Sequence, residues 1–92
     1  MAVQTPSIGR TVHYVLPDGP SVGQHRPAVI VRVWSDTCVQ LQVFTDGSND
    51  GPDYAAGVVW RTSVVKDDGA VEGGRENYWH WPEYVAPTES GS

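Results

Sequence analysis

Hydrophobic and polar residues alternate along four stretches of the chain, and alternation with a period of two is typical of β-strands. The clearest case is the third stretch, where Val39, Leu41 and Val43 alternate with two glutamines. A shorter fifth strand is predicted around residues 78–81. No stretch has the periodicity of a helix, so the pattern predicts an all-β protein. The four longer predicted strands cover residues 10–16, 27–34, 38–44 and 57–65.

Turn signals between these strands indicate how they connect. Residues 17–20 (PDGP) predict a tight turn, because proline fixes φ and glycine leaves it free. Residues 35–37 predict a short hairpin, and residues 45–56 predict a long loop rich in glycine and aspartate. Five short strands around a tight hairpin favour a small antiparallel barrel of the SH3-like type. An OB-like barrel and an open sheet are the alternatives.

Strict alternation also assigns side chains to faces. In the second predicted strand it places Val31 and Val33 on one face and Arg32 on the other. Both faces of that strand are largely apolar, which predicts a central strand. In the fourth it places Trp60 and Val64 on the same face.

Length and charge limit the classes of function. The 92 residues predict a single domain (1–92), with a core at about 8–83 and a flexible tail at 84–92. The net charge is −5 and no basic stripe exists, so a duplex nucleic acid is not expected as a partner. No apolar stretch is long enough to predict a membrane span. The single cysteine, Cys38, is expected to be a buried thiol in a reducing compartment.

Two tryptophans two residues apart lie in the motif WHWPE at 79–83. Residues so spaced in a strand share a face, which predicts an aromatic wall made by Trp79 and Trp81, with His80 on the opposite side. The competing interpretation is that at least two of the four tryptophans pack in the core. The competing interpretation of Arg32 is likewise structural: its guanidinium would pair with an acid of the protein instead of binding a ligand.

Arginines, indoles and polar side chains make up the predicted ligand site. Guanidinium groups bind phosphate in a bidentate manner, and an indole contributes about 1–3 kcal/mol for each base that stacks on it. The predicted phosphate ligands are Arg26, Arg32 and Arg61. The predicted stacking residues are Trp60, Trp79 and Trp81. The predicted polar contacts are His25, His80, Asp46, Asn49 and Asp50.

Catalytic and metal sites find less support. The three histidines lack the close sequence spacing of a zinc site. The loop at 46–51 has the alternating oxygens of a calcium loop, but Gly57 occupies the position of the bidentate glutamate. The best catalytic set would be His25, His80 and Asp50. The sequence therefore predicts a protein that is not an enzyme, with no catalytic residue, metal or cofactor.

Several segments resemble a family of small, uncharacterised accessory proteins encoded by tailed bacteriophages. The resemblance covers roughly residues 8–83. It implies a phage gene that acts in the cytoplasm of the infected bacterial host and assigns no catalytic residues. The segments are 8–15 (IGRTVHYV), 25–28 (HRPA), 32–34 (RVW), 43–51 (VFTDGSNDG), 60–64 (WRTSV) and 79–83 (WHWPE).

This origin suggests a function that needs no reaction machinery. The expected function is a homo-oligomeric sponge, which sequesters a nucleotide-derived immune signal such as a cyclic nucleotide or an ADP-ribose-type molecule. The alternative is a structural or decoration protein of the virion, or an inhibitor that binds a host factor.

Overall fold

Five antiparallel strands form one sheet in a computed structural model that describes residues 5–69 and 74–82. The prediction of an all-β, five-stranded antiparallel fold is confirmed. The third strand has the predicted bounds, and the ends of the others differ by at most two residues. The strands are β1 (Thr11–Val15), β2 (His25–Val33), β3 (Cys38–Phe44), β4 (Val58–Val65) and β5 (Trp79–His80).

The sheet curls into a half-barrel. Its strand order is β4-β3-β2-β1-β5, so β2 is central, as predicted. A parallel bridge between Lys66 and Trp79 joins the end of β4 to β5. The Asp67 N–H donates to the carbonyl of Trp79 at 2.7 Å, and the Trp79 indole N–H donates to the carbonyl of Thr37 at 3.1 Å. These bonds bring the two edges of the sheet together at one end.

The hydrophobic core lies on the concave side of the curled sheet. Most of the core comes from alternating positions, since Val12 and Tyr14 of β1 and Val39, Leu41 and Val43 of β3 are fully buried. Tyr54 and Trp79 close the core from the loop after β3 and from β5. Its members are Val12, Tyr14, Leu16, Ala28, Ile30, Val39, Leu41, Val43, Tyr54, Val64 and Trp79.

Two bulges overturn the prediction of strict alternation in β2 and β4. The register between β2 and β3 shifts between Ile30 and Arg32, so that Val33 turns toward the core. The register between β3 and β4 shifts so that Arg61 pairs with Leu41 while Val64 pairs with Val39. An extra residue in one strand reverses the faces that follow it. Trp60 and Val64 consequently lie on opposite faces.

Helical structure in the described residues consists of two 3₁₀ turns, Gly47–Asp50 and Pro52–Tyr54, in the loop between β3 and β4. Neither is long and apolar enough to cross a membrane. Cys38 is half-buried, not buried as predicted, because its side chain lies on the face opposite the core. Glu83 and the predicted tail at 84–92 lie outside the described residues.

Candidate functional site

Trp79 and Trp81 do not form the predicted exposed wall. Trp79 is fully buried, because it pairs with Tyr14 of β1 and faces the core. Trp81 packs edge-on against it, with 5.4 Å between ring centroids, and the Arg10 guanidinium covers the Trp81 ring at 4.8 Å. The prediction that Trp79 offers a face to a ligand is therefore wrong, and the interpretation of the pair as core packing fits the structure.

Arg26 and Asp50 bind each other. Arg26 Nε and Nη2 donate to the two carboxylate oxygens of Asp50 at 2.8 and 2.6 Å, and Asp50 is fully buried. Further bonds run from Arg26 to the carbonyl of His25 and the side chain of Gln24. The hydrogen bond from Arg26 holds the pKa of Asp50 well below its usual range, although burial opposes it. Four of the five N–H donors of a guanidinium are thus occupied inside the protein.

Arg61 faces inward, away from its neighbour Trp60. Its Nη2 donates to the hydroxyl of Tyr54 at 2.9 Å, and that hydroxyl donates to Asp18 at 2.5 Å. Burial and the hydrogen bond to Asp18 raise the pKa of Tyr54 to about 12. The three predicted phosphate ligands therefore do not converge: Arg26 and Arg61 are bound inside the protein, whereas the bulge in β2 turns Arg32 to the opposite face.

A shallow groove of about 400 Å³ runs past His25, Arg26 and Asp46. Three predicted ligand residues thus line one cavity. Its electrostatics do not suit an anion, however, because Asp50 already neutralises Arg26 and Asp46 adds a carboxylate. Asn49 lies nearby and donates to Asp46 at 3.3 Å.

The side of the sheet opposite the core carries a cluster of aromatic and polar groups on β3, β4 and the end of β2, which we call the outer face; Phe44 belongs both to it and to the lining of the groove. Six of the eight large hydrophobic side chains that are exposed among the described residues belong to it, and Trp34 and Trp60 are each 52% exposed. Strand pairing places Trp60 beside Gln42, and Phe44 beside Val58. The exposed members of the outer face are Val31, Arg32, Trp34, Phe44, Val58, Trp60, Thr62 and Val65.

Hydrogen bonds and a cation–π contact hold Trp34 in place on this face. The Arg32 guanidinium lies 4.3 Å from the centroid of the Trp34 ring. The side-chain oxygen of Gln40 accepts from Trp34 Nε1 at 3.1 Å and from the Thr62 hydroxyl at 2.6 Å. Trp60 lies farther along the same side of the sheet, because it pairs with Gln42, two residues after Gln40 on β3. Sequence reasoning named Arg32 and Trp60 as ligand residues but did not choose Trp34, although alternation already placed Trp34 on the same face as Arg32.

The structure brings all three histidines together, which sequence spacing did not indicate. His13 pairs with His80 across β1 and β5, and His25 lies on β2 at the other side of β1. The ring centroids are 4.7 Å apart for His25 and His80, 5.5 Å for His13 and His80, and 5.7 Å for His13 and His25. Asp50, the third member of the suggested catalytic set, is instead bound to Arg26.

Comparison with protein-family models, with curated proteins and with solved structures gave no match. The resemblance to phage accessory proteins therefore stays a prediction.

Proposed function

We propose that the outer face binds the flat ring of a nucleotide-type ligand, and that the protein sequesters this ligand as a homo-oligomer without chemical conversion. The observation that carries the proposal is the contact between the half-exposed Trp34 indole and the Arg32 guanidinium, with a second half-exposed indole, Trp60, on the same side of the sheet. An indole can stack on any nucleobase, whatever its identity, and a guanidinium binds phosphate. Both groups are available on this face without disrupting the core.

Preorganisation supports binding at Trp34. Its indole is held by Arg32 on the ring and by Gln40 at Nε1, so little side-chain entropy remains to be lost when a ring stacks on it. Trp60 supplies a second stacking face one row away. The amide of Gln42, which pairs with Trp60, can hydrogen-bond to the edge of a base.

The strength of these contacts indicates that a single copy of the chain does not bind the ligand tightly enough to sequester it. Two stacking contacts at about 1–3 kcal/mol each and one charge-assisted hydrogen bond at about 1.5–3 kcal/mol give roughly 4–9 kcal/mol before the cost of association. A nanomolar sponge needs about 12 kcal/mol. A second copy, facing the first across the ligand, would double the stacking surface and the guanidinium groups.

The apolar character of the outer face also favours self-association. Val31, Phe44, Val58 and Val65 surround the two indoles and are between 38% and 46% exposed. A contiguous apolar patch on a small protein usually marks an interaction site. Arg32 places a positive charge there, whereas the whole chain carries a net charge of −5. Two facing copies would carry like charges, so burial of apolar surface has to drive the association, and the phosphate of the ligand would lie between the two Arg32 guanidinium groups.

Titration calorimetry with a panel of cyclic nucleotides and ADP-ribose-type compounds tests the proposal. We expect one ligand to bind per two chains, and heating the complex to release the ligand unchanged. Trp60→Ala and Arg32→Gln should each weaken binding by about tenfold or more, since that corresponds to only 1.4 kcal/mol. Val22→Ala is the matched control, because Val22 is 51% exposed but lies outside the outer face. Absence of heat with every compound, or release of ligand fragments, contradicts the proposal.

The same face supports a second candidate, a docking surface for a virion or host protein. The apolar residues around the indoles favour it, because tryptophan and arginine are the residues most enriched at energetic hot spots of protein interfaces. Recovery of the protein in purified virions, with no heat from any nucleotide, would favour this candidate over the first.

A further inference from the structure

We propose that His13, His25 and His80 form a binding site for a divalent transition-metal ion of the zinc type. This site lies beyond the proposed function, since it occupies β5, β1 and the start of β2, whereas the outer face is formed by β3, β4 and the end of β2. Each histidine offers one ring nitrogen, and these three atoms lie within 4.8 Å of one another.

The backbone fixes the three positions. His13 is directly opposite His80, and His25 pairs with Val15, two residues from His13 on the same strand. Residues two apart in a strand share a face, so all three imidazoles project from the side of the sheet opposite the core. Because the positions come from strand pairing and not from a loop, little backbone ordering is needed on binding.

The distances between the three ring nitrogens are close to those in a site that holds a zinc ion. Zinc–nitrogen bonds of about 2.0–2.1 Å in a tetrahedron require nitrogens roughly 3.4 Å apart. The cluster must therefore contract by about 1.4 Å at its widest pair, which rotation of the imidazole side chains can supply. The rings are half-buried, so part of their hydration is already lost, and they pack edge to face with centroids 4.7–5.7 Å apart.

A buried carboxylate lies beside the cluster. A Cβ placed on Gly74 would be 3.6 Å from His25 Nε2 and also 3.6 Å from the Oδ2 atom of Asp67. Asp67 is 5% exposed and is held by backbone N–H groups of Gly69 and Arg75 at 2.8 and 2.6 Å. Asp67 Oδ2 and His25 Nε2 are therefore at most about 7 Å apart, close enough for the carboxylate to offset part of the charge of a bound ion.

The donor set selects the class of ion. Three neutral imidazoles suit zinc, copper, nickel or iron, whereas calcium and magnesium require oxygen ligands. Three protein ligands leave the fourth tetrahedral position for water or another small ligand. The proposed site therefore binds an ion with an open coordination position.

Metal titration of the metal-stripped full chain tests the site. We expect one Zn²⁺ per chain by calorimetry, a rise in the thermal midpoint with Zn²⁺ concentration, and the visible absorption of four-coordinate Co²⁺. His13→Gln and His80→Gln, each checked for folding by circular dichroism, should weaken Zn²⁺ binding by more than about 100-fold. Asp53→Asn is the matched control, because Asp53 is an exposed acid of the loop after β3 and lies outside the groove that His25 lines.

The outcomes separate this site from the outer face. Trp60→Ala should leave Zn²⁺ affinity unchanged, and His13→Gln should leave the heat of nucleotide binding unchanged. Six-coordinate Co²⁺ spectra in the unaltered chain, or equal Zn²⁺ affinity in the histidine variants and the control, would overturn the proposal. The Co²⁺ spectrum of the unaltered chain tests the coordination geometry even if a histidine variant fails to fold.

Discussion

Gly19 lies where the first turn touches the loop after β3. Its φ is +84°, in the left-handed region, and a Cβ at this position would lie 2.6 Å from the backbone oxygen of Asp50. The turn signal at 17–20 predicted the need for glycine from backbone conformation alone. The contact with Asp50 adds a second, independent reason that only the fold supplies.

Gly19→Ala should destabilise the protein more than Gly57→Ala. Both glycines have nearly the same φ, +84° and +85°, but a Cβ on Gly57 meets nothing within 4 Å. The left-handed conformation costs about 1–2 kcal/mol in either variant, and the clash with a backbone atom should bring the total at Gly19 to about 3 kcal/mol. Urea denaturation measures the difference. Equal losses of stability in the two variants would contradict the close packing of the turn on the loop.

The ion pair of Arg26 and Asp50 attaches the loop between β3 and β4 to β2. Asp50 also accepts the backbone N–H of Asp46 at 2.7 Å, so one carboxylate holds both ends of the first 3₁₀ turn. Removing one partner of a buried pair leaves the other charge without compensation, which typically costs about 3–5 kcal/mol. The position of the groove residues therefore depends on this pair.

Asp50→Asn should lower the free energy of unfolding by about 3 kcal/mol at neutral pH. The pKa of Asp50 is lowered by folding, so its contribution is complete above the unfolded-state pKa of about 4 and is lost as the pH falls below that value. The stability difference between the native protein and the variant should consequently shrink below about pH 4. Chemical denaturation across this pH range measures it.

Asp53→Asn serves as the control for this prediction, since Asp53 is an exposed acid in the same loop. It should change the stability by less than about 0.5 kcal/mol. A difference between Asp50→Asn and the native protein that stays constant down to about pH 2 would contradict the assignment of the acid sensitivity to Asp50.

At the scale of the whole molecule, the four tryptophans report on separate regions. Trp79 is fully buried and Trp81 is half-buried against it, whereas Trp34 and Trp60 are each 52% exposed on the outer face. Their fluorescence therefore distinguishes the core from the proposed contact between copies.

Acrylamide quenching should depend on protein concentration. At low concentration Trp34 and Trp60 should be quenched, and at high concentration a second copy should protect them, in parallel with an increase in the sedimentation coefficient. Trp60→Ala should remove the concentration dependence, while Val22→Ala should retain it. Quenching that is the same at all concentrations would contradict self-association through the outer face, whatever the result with nucleotides.

Alternation along β3 determined its bounds and its buried face, because a period of two is a local property of an extended chain. The same reasoning predicted the all-β fold and the buried positions of β1. It failed beyond the bulges in β2 and β4, because one extra residue reverses every later side chain and leaves no local signal. Arg32 and Trp60 were identified as surface ligands from residue type, but their neighbour Trp34 was not.

Only the tertiary structure decided which distant groups meet. The pairing of Arg26 with Asp50, the burial of Trp79 and the cluster of His13, His25 and His80 each join residues far apart in the chain. The residue types were visible in the sequence, but their contacts depend on strand order, register and the direction in which the sheet curls. These are set by the packing of the whole core, so no local pattern could specify them.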